Sequence, residues 1–188
     1  MVGSNVMKNK STIRPLAKKR MGCSFSVVLV AFGIALMSSI PMSAQGCQPI
    51  LDAMNKIYIT PTHLYTTMDG GLKNELIYAG GVVYDNLHGK WARSTVTLQQ
   101  VEKMEDENRR NSKYECRYLR DESVNGDMAA VYSTHAERDD LKIKSEGQIW
   151  ISKSRGLLLR QEEGIDAGDG TKNHHSTRYE YVNVRPPV

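Results

Sequence analysis

The sequence has little phenylalanine, few cysteines and no apolar run as long as a membrane-spanning helix. Only two of its 188 residues are Phe, and only three are Cys. Its main apolar run, residues 25–37, has 13 residues, whereas a helix that crosses a bilayer needs about 20. A transmembrane anchor is therefore disfavoured. Both Phe residues lie in this run, so the rest of the chain takes its aromatic character from nine Tyr and two Trp. These residues combine an apolar body with a polar tip, which suits the wall of a half-wet cavity.

Several motifs of catalytic and nucleotide-binding proteins are also missing. The chain has no G-x-S-x-G segment, the turn that exposes a nucleophilic Ser. The pair Gly80–Gly81 is not followed by Lys-Ser/Thr or by a helix start, so it does not form a phosphate-binding loop. The acidic segment 166–170 lacks the ligand spacing of a calcium-binding hand. The sequence thus defines no reaction by motif, and we predict neither a catalytic residue nor a cofactor.

The first 46 residues have the composition of a secretory signal. Six Lys and Arg residues and no acidic residue precede the end of the apolar run. Pro41 follows, and then small residues that include Ala44 and Gly46. A basic region, a short apolar segment and a small-residue cleavage zone are the three parts of a signal peptide. We therefore predict a removed leader over 1–46 and a single exported domain over 47–188, periplasmic or extracellular. A retained signal anchor is the alternative.

Removal of this leader changes the charge of the chain. The leader holds six of the 25 Lys and Arg residues and none of the 21 acidic residues, which leaves 19 basic against 21 acidic residues. The surplus of +4 in the whole chain is therefore a property of the leader. Domains that bind nucleic acid concentrate basic residues on one face, and we expect no nucleic-acid partner here. The remaining length fits one domain with a moderate core.

Two cysteines, Cys47 and Cys116, remain after the leader. In an exported protein a disulfide is the default for such a pair. Acylation of Cys47, as in bacterial lipoproteins, is the alternative and would exclude the disulfide. The residues before Cys47 read Ala44-Gln45-Gly46, without the Leu that usually lies three places upstream of an acylated Cys. Cleavage after Ala44 or Gly46 with a soluble product is the main interpretation.

Two helices are predicted. Apolar residues at helical spacing after Pro49 predict a first helix that ends before Pro61. Thr97 and Gln100 form a capping-box pattern at the start of the second. Its apolar side is predicted to hold Leu98, Val101 and Met104, and its charged residues, which include Glu105 and Arg109, are interpreted as a solvated face.

The rest of the pattern predicts strands. A strand over 72–84 contains Gly80–Gly81, which suggests a bulge or sharp bend. From residue 113 about five antiparallel strands follow, with a hairpin turn at Asn125–Gly126. A polar, Gly-rich loop over 164–173 leads to a last strand over 174–184 and is predicted as a mobile rim. The fold class is α+β: a curved antiparallel sheet, not closed into a barrel, over about two helices.

Three segments resemble a known group of exported bacterial proteins. They are CRYLRDESVNGDMAAVYS (116–133), GQIWISKSRGLLLRQE (147–162) and RYEYVNVRPPV (178–188). Their rhythm is similar to that of the outer-membrane lipoprotein carrier (LolA-like) superfamily. The resemblance implies an unclosed half-barrel capped by helices, in which several members hold an acyl chain. Its motifs mark the fold, so a function taken from them is an analogy.

Large side chains on the strands are the candidates for the lining of such a hollow. We predict Tyr114, Tyr118, Tyr132, Trp150 and Leu158 as ligand-lining residues. Metal binding and catalysis are two other kinds of site for which the sequence holds candidate residues. No metal site is predicted at His174–His175 near Asp166 and Asp169, because adjacent residues of a strand point to opposite faces. Acid–base chemistry or a Cys–His pair would use His63, His135, Asp127 or Cys116.

The leading functional prediction is a non-enzymatic envelope protein that binds a lipid or another hydrophobic small molecule. An envelope interaction or scaffold protein with a filled core, which would have a protein partner, is one alternative. A small pocket enzyme of the isomerase or dehydratase type is the other. Burial of histidines beside carboxylates inside the hollow would favour the enzyme.

Overall fold

The computed structural model describes residues 42–71 and 73–187. Most of the predicted leader, residues 1–41, lies outside this part of the chain. Two helices and nine strands are present within the described residues: α1 (Met42–Ile57), β1 (Thr62–Met68), β2 (Lys73–Ala79), β3 (Val82–Leu87), β4 (Lys90–Arg93), α2 (Leu98–Arg110), β5 (Lys113–Val124), β6 (Asp127–Arg138), β7 (Ile143–Ser152), β8 (Leu158–Asp166) and β9 (Lys172–Glu180). Neither helix is long and apolar enough to cross a membrane.

All nine strands form one antiparallel sheet that does not close. The strand order is β4-β3-β2-β1-β9-β8-β7-β6-β5, and the two halves of the chain join where β1 pairs with β9. Strands β4 and β5 are the two edges. Nine strands about 4.8 Å apart make a sheet about 38 Å wide, whereas a helix is about 10 Å wide. One buried cluster nevertheless contains residues of both helices and of β1, β2, β3, β7, β8 and β9. The sheet must therefore curl around the helices, and the predicted α+β half-barrel is confirmed.

The helices form where local chemistry favours them, but α1 starts earlier than predicted. The capping box of α2 is present: Thr97 Oγ1 accepts from the Gln100 backbone N–H, and Gln100 Oε1 accepts from the Thr97 N–H. Helix α1 begins at Met42, so Pro49 lies in its interior. Proline there lacks the N–H that would bond to the carbonyl four residues earlier. Helix α1 forms despite this loss because its apolar face packs on the sheet.

Two turns differ from the predictions. Gly80 and Gly81 do not bend a continuous strand but form the tight turn between β2 and β3, with φ of 60° and 76°. Consecutive positive φ values match the twist of a hairpin, and Gly adopts them without a steric cost. The loop predicted over 164–173 is shorter, because β8 continues to Asp166 and β9 begins at Lys172. The strand ladder extends over polar residues there, which periodicity alone does not assign.

The two faces of the sheet follow strand alternation. On the inner face, toward the helices, Ile149, Ile151 and Leu158 pack with Ile50 of α1. Ile50 and Leu158 are fully buried. On the outer face, Trp150 packs in a smaller cluster with Ala129, Val131 and Leu159. A bulge at Leu159 places two residues of β8 opposite Trp150.

A disulfide joins α1 to the edge strand β5. Cys47 and Cys116 are bonded, with their Cα atoms 5.0 Å apart and 69 positions apart in sequence. The helix approaches β5 so closely here that a Cβ on Gly46 would lie 2.7 Å from the Cys116 carbonyl oxygen. Position 46 therefore has no room for a larger side chain, and the mature chain keeps this residue when cleavage follows Ala44.

A second close approach lies in the middle of the sheet. A Cβ on Gly147 of β7 would lie 2.1 Å from the Glu162 carbonyl oxygen of β8. Gly164, on the neighbouring position of β8, has no such conflict, since its nearest atom would be at 3.8 Å. Gly147 is thus required by the spacing of two backbones, and it lies where the filled part of the inner face meets the open part.

Candidate functional site

The inner face leaves a hollow of about 510 Å³ between the sheet and the two helices. This volume is in the range typical of small-ligand sites. Both helices and seven of the nine strands contribute to its wall. The lining residues are Met54, Ile57, Tyr58, Leu64, Tyr78, Val101, Glu105, Asn108, Arg109, Ser112, Tyr114, Ala136, Arg138, Leu141, Ile143, Ser145, Gln161, Glu163, Ile165 and Tyr179.

The hollow has a closed end and an open end. At the closed end Ile57, Leu64, Tyr78 and Tyr179 are buried. At the open end Leu141 is 49% exposed. Twelve of the twenty lining residues are apolar or aromatic, and the eight polar ones come from α2, from β6, β7 and β8, and from Ser112. An apolar wall with a few polar groups is the usual composition of a ligand site.

Four tyrosines line the hollow and keep their protons to unusually high pH. Burial raises the pKa of Tyr78 and of Tyr114 to about 12. Burial also raises the pKa of Tyr58 and Tyr179 well above the ordinary value. The Tyr179 hydroxyl donates to Gln161 Oε1 at 3.0 Å. At neutral pH these residues therefore present phenol groups that can donate or accept hydrogen bonds, beside apolar ring faces.

Two charged residues of α2, Glu105 and Arg109, face the hollow rather than the solvent. Burial raises the pKa of Glu105 above its usual range, and Arg109 opposes that rise. Arg109 is paired with Asp106 on the same helix. Its Nη1 is buried and, within the described residues, has no hydrogen-bond partner. The interpretation of Glu105 and Arg109 as part of a solvated face is therefore wrong.

A sequence signal for these two residues existed. Positions 98, 101 and 105 lie on one face of a helix, and 108, 109 and 112 continue it. Leu98 and Val101 follow this face into the core, as predicted. Met104, predicted on the apolar side, is 59% exposed. Assigning residues by their polarity places Met104 on the buried side of α2 and Glu105 on the solvent side. Helical spacing from Leu98 and Val101 gives the opposite assignment, which is the one observed.

The five residues predicted to line the hollow fall into different places. Tyr114 lines it. Leu158 is fully buried under α1, and Tyr132 packs beside the same cluster. Tyr118 is 52% exposed near the edge of the sheet, with its ring 5.8 Å from that of Tyr132. Trp150 lies on the outer face, because its neighbours Ile149 and Ile151 occupy the inner one. The structure thus brings only Tyr114 of the five to the hollow.

The histidines considered for acid–base chemistry lie outside the hollow. His63 stacks on Tyr65 with ring centres 4.0 Å apart and lies 3.5 Å from Glu75, on the outer face. His135 lies between Glu137 and Glu146, at 3.3 and 3.4 Å. Asp127, the third candidate, is held in an ion pair with Arg155 at 2.8 Å, which lowers its pKa. These contacts lie on the outer face and bring no acid–base pair to the hollow.

The remaining candidate groups do not assemble either. Cys116 is in the disulfide and is not a free nucleophile. Within residues 42–71 and 73–187, no group of three or more His, Cys, Asp and Glu is arranged to hold a metal ion. A broad groove of about 740 Å³ on the outer face is lined mainly by charged residues of β7, β8 and β9. Its exposed, mixed charges suit solvent more than a hydrophobic ligand.

Comparison of the chain with known proteins finds solved structures that are similar to it at a low level. No protein-family model matches the chain, and no curated protein matches it. Among solved structures, it is similar to LprF from Mycobacterium bovis, with 9% identity, a TM-score of 0.43, and 78% of this chain and 97% of LprF covered. It is also similar to a DUF1329 family protein from Desulfovibrio piger, with 8% identity, a TM-score of 0.23 and coverage of 78% and 93%. The hollow is therefore interpreted from its own residues.

Proposed function

We propose that this protein is an exported, non-enzymatic carrier or sensor that holds a lipid or another hydrophobic small molecule in the hollow of a LolA-like half-barrel. The observation that carries this proposal is the hollow itself, about 510 Å³ in volume, walled mostly by apolar and aromatic side chains. Burial of an acyl chain there would contribute about 0.8 kcal/mol for each methylene removed from water. No bond has to be made or broken, so the hollow needs no catalytic group.

The wall supports reversible binding. Helix α1 is tied to the sheet by the disulfide, whereas α2 contains no cysteine and contacts the core chiefly through Leu98 and Val101. A shift of α2 would widen the hollow without disturbing the buried packing between α1 and the sheet. We propose that the ligand enters and leaves at the open end, beside Leu141 and the C-terminal half of α2.

The proposal includes export, with a leader over 1–46 and a single domain from 47 onward. An oxidising compartment is consistent with the disulfide between Cys47 and Cys116. The intact mass of the protein recovered from its host tests this part. We expect a soluble chain that begins between Gln45 and Cys47 and lacks two hydrogens relative to the reduced form. A mass increased by fatty acyl groups would show acylation of Cys47 instead.

Ligand carriage is tested by purifying the protein from a lipid-rich host and analysing a solvent extract by mass spectrometry. We expect a co-purifying hydrophobic ligand. Ala136→Phe places a large side chain at a lining position and should abolish it. Ser133→Phe, on the same strand but on the outer face, is the matched control and should retain it. An empty wild-type protein that also fails to take up an added hydrophobic fluorophore would contradict the proposal and favour the scaffold function.

A further inference from the structure

The balance of charges inside the hollow is uneven. Its lining contains two arginines and two glutamates, but the arginines already have acidic partners. Arg109 pairs with Asp106, and Arg138 pairs with Asp140 at 3.0 Å. Within the described residues, no Lys, Arg or His nitrogen lies within 4.0 Å of the carboxyl oxygens of Glu105 or Glu163. The charge that is left without a direct partner in the hollow is therefore negative.

Glu105 also shares the wall of the hollow with four tyrosines. It is close enough to Tyr58, Tyr78, Tyr114 and Tyr179 for its negative charge to raise the pKa of each of them. Aromatic faces carry partial negative charge and attract cations, so a cavity wall that combines tyrosines with a carboxylate favours an ammonium group. An anion would be repelled by the carboxylate; the buried Nη1 of Arg109, which has no hydrogen-bond partner within the described residues, could donate to it, but the charge of that guanidinium is already offset by Asp106.

Glu163 extends this acidic region along the sheet. It lies on the inner face of β8, where Gln161 Nε2 donates to its Oε2 at 3.3 Å. Burial is the main cause of the raised pKa of Glu105, and the negative charge of Glu163 adds to that rise. Two carboxylates that share a partly desolvated space repel each other, and a cation between them would remove that cost.

We propose that the hollow is selective for cationic amphiphiles, with an ammonium group held by Glu105, Glu163 and the surrounding tyrosines. The apolar part of the ligand then lies along Ile143, Ile165 and Leu141 toward the open end. This inference rests on the proposed function, since it concerns the ligand of the same hollow. Its content is separate: an anionic or neutral ligand of equal chain length is discriminated against.

Three probes with the same alkyl chain test the inference: decyltrimethylammonium, decanoate and decanol, each below its critical micelle concentration. Their dissociation constants are measured by displacement of a neutral hydrophobic fluorophore. We expect the ammonium probe to bind at least about tenfold more tightly than decanoate, with decanol between them. Glu105→Gln should remove most of this preference, and Glu163→Gln part of it. Glu107→Gln, an exposed position of α2 outside the lining, should keep it.

The outcomes separate this inference from the proposed function. Equal binding of all three probes, or tighter binding of decanoate, overturns the selectivity and leaves carriage of hydrophobic ligands in place. A preference for the ammonium probe that is unchanged in Glu105→Gln and Glu163→Gln also overturns it, because the charge then acts from elsewhere. Failure of every probe to displace the fluorophore overturns the proposed function, and this inference with it.

Discussion

The inner face of the sheet is closely packed in one region and open in another. Under α1 it is filled: Ile50 inserts among Ile149, Ile151 and Leu158, and these side chains are almost fully buried. Under α2 it is left open, and a hollow of about 510 Å³ remains. Strand alternation supplies large side chains to both regions, so the sheet alone does not decide between packing and cavity.

The difference lies in the helices. Helix α1 presents Ile50, Ala53 and Ile57, whose apolar surfaces can approach the sheet closely. Helix α2 presents Glu105 and Arg109 after its first turn, and charged groups do not enter a dry core unless they are paired. Charge on the helix thus holds it away from the sheet and keeps the hollow open. A cavity can therefore be specified by a covering helix that lacks the apolar side chains needed to fill the space between it and the sheet.

The largest effect should come from removing the disulfide that ties α1 to β5. Replacement of Cys47 and Cys116 by Ser should reduce the free energy of unfolding by about 4 kcal/mol, because the bond closes a loop over 69 positions in the unfolded chain. Urea unfolding with and without reductant measures this. The double variant itself should not respond to reductant, and a wild type equally insensitive to it would contradict the prediction.

Shortening a leucine side chain should destabilise the filled region much more than the open region, and this is the next largest effect. Leu158→Ala empties a fully buried position under α1 and should cost about 3 kcal/mol in urea unfolding. Leu141→Ala, the control at the open end of the hollow, should cost less than about 0.5 kcal/mol. Equal losses would show that the open region is packed as tightly as the filled one.

The boundary between the regions is sensitive at Gly147. Gly147→Ala should lower the free energy of unfolding by about 2 kcal/mol, because its Cβ would collide with the backbone of β8. Gly164→Ala, one strand away and without such a collision, should cost less than about 1 kcal/mol. Chemical denaturation of both variants provides the measurement, and the reverse order would place the close approach elsewhere.

In the open region a substitution should stabilise. Burial disfavours the charged form of Glu105, so Glu105→Gln removes a carboxylate that the fold accommodates at a cost. We expect the free energy of unfolding at neutral pH to rise by less than about 1 kcal/mol, with Glu107→Gln as the neutral control. A clear loss of stability would show that the carboxylate has a favourable partner in the protein.

The last prediction concerns alkaline pH, outside the range in which the other variants are compared. Tyr78 and Tyr114 have pKa values of about 12 in the folded protein, against 10.0 ordinarily. The folded state therefore binds more protons than the unfolded chain between these values, so stability is complete below pH 10 and falls as the pH rises toward 12. Urea midpoints measured across this window should decline, and less steeply in a Tyr78→Phe, Tyr114→Phe variant. A flat profile would mean that these phenols are solvated.

Much of the fold could be predicted from the sequence, because its signals are local. The capping box at Thr97, the hairpin at Asn125–Gly126 and the alternation of the late strands give the α+β half-barrel with two helices. The predictions for the start of α1 and for Gly80–Gly81 are wrong. A Pro can lie in the first turn of a helix or in its interior, and a Gly pair can form a bend within a strand or the turn of a hairpin. Tertiary packing decides between those uses.

The hollow was harder to predict. Of the residues predicted to line it, Tyr114 lies in its wall, and Tyr58, Glu105 and Arg109 lie there too but are not among the predicted residues. A strand pattern gives two faces but does not say which residues lie beneath a helix and which lie beside it. Leu158 and Trp150 both have the composition of a cavity wall; one is covered by α1 and the other lies on the opposite face. That information depends on where the helices cross the sheet.

The bond between Cys47 and Cys116 also has a consequence for how the polypeptide must be made. Cys47 cannot form the bond until the strand that carries Cys116, 69 positions later, has been synthesised and has folded beside α1. Recombinant production in a reducing cytoplasm would yield chains with an unfastened first helix. Secretion-directed expression, or oxidative refolding, is the route by which the native molecule should be obtained.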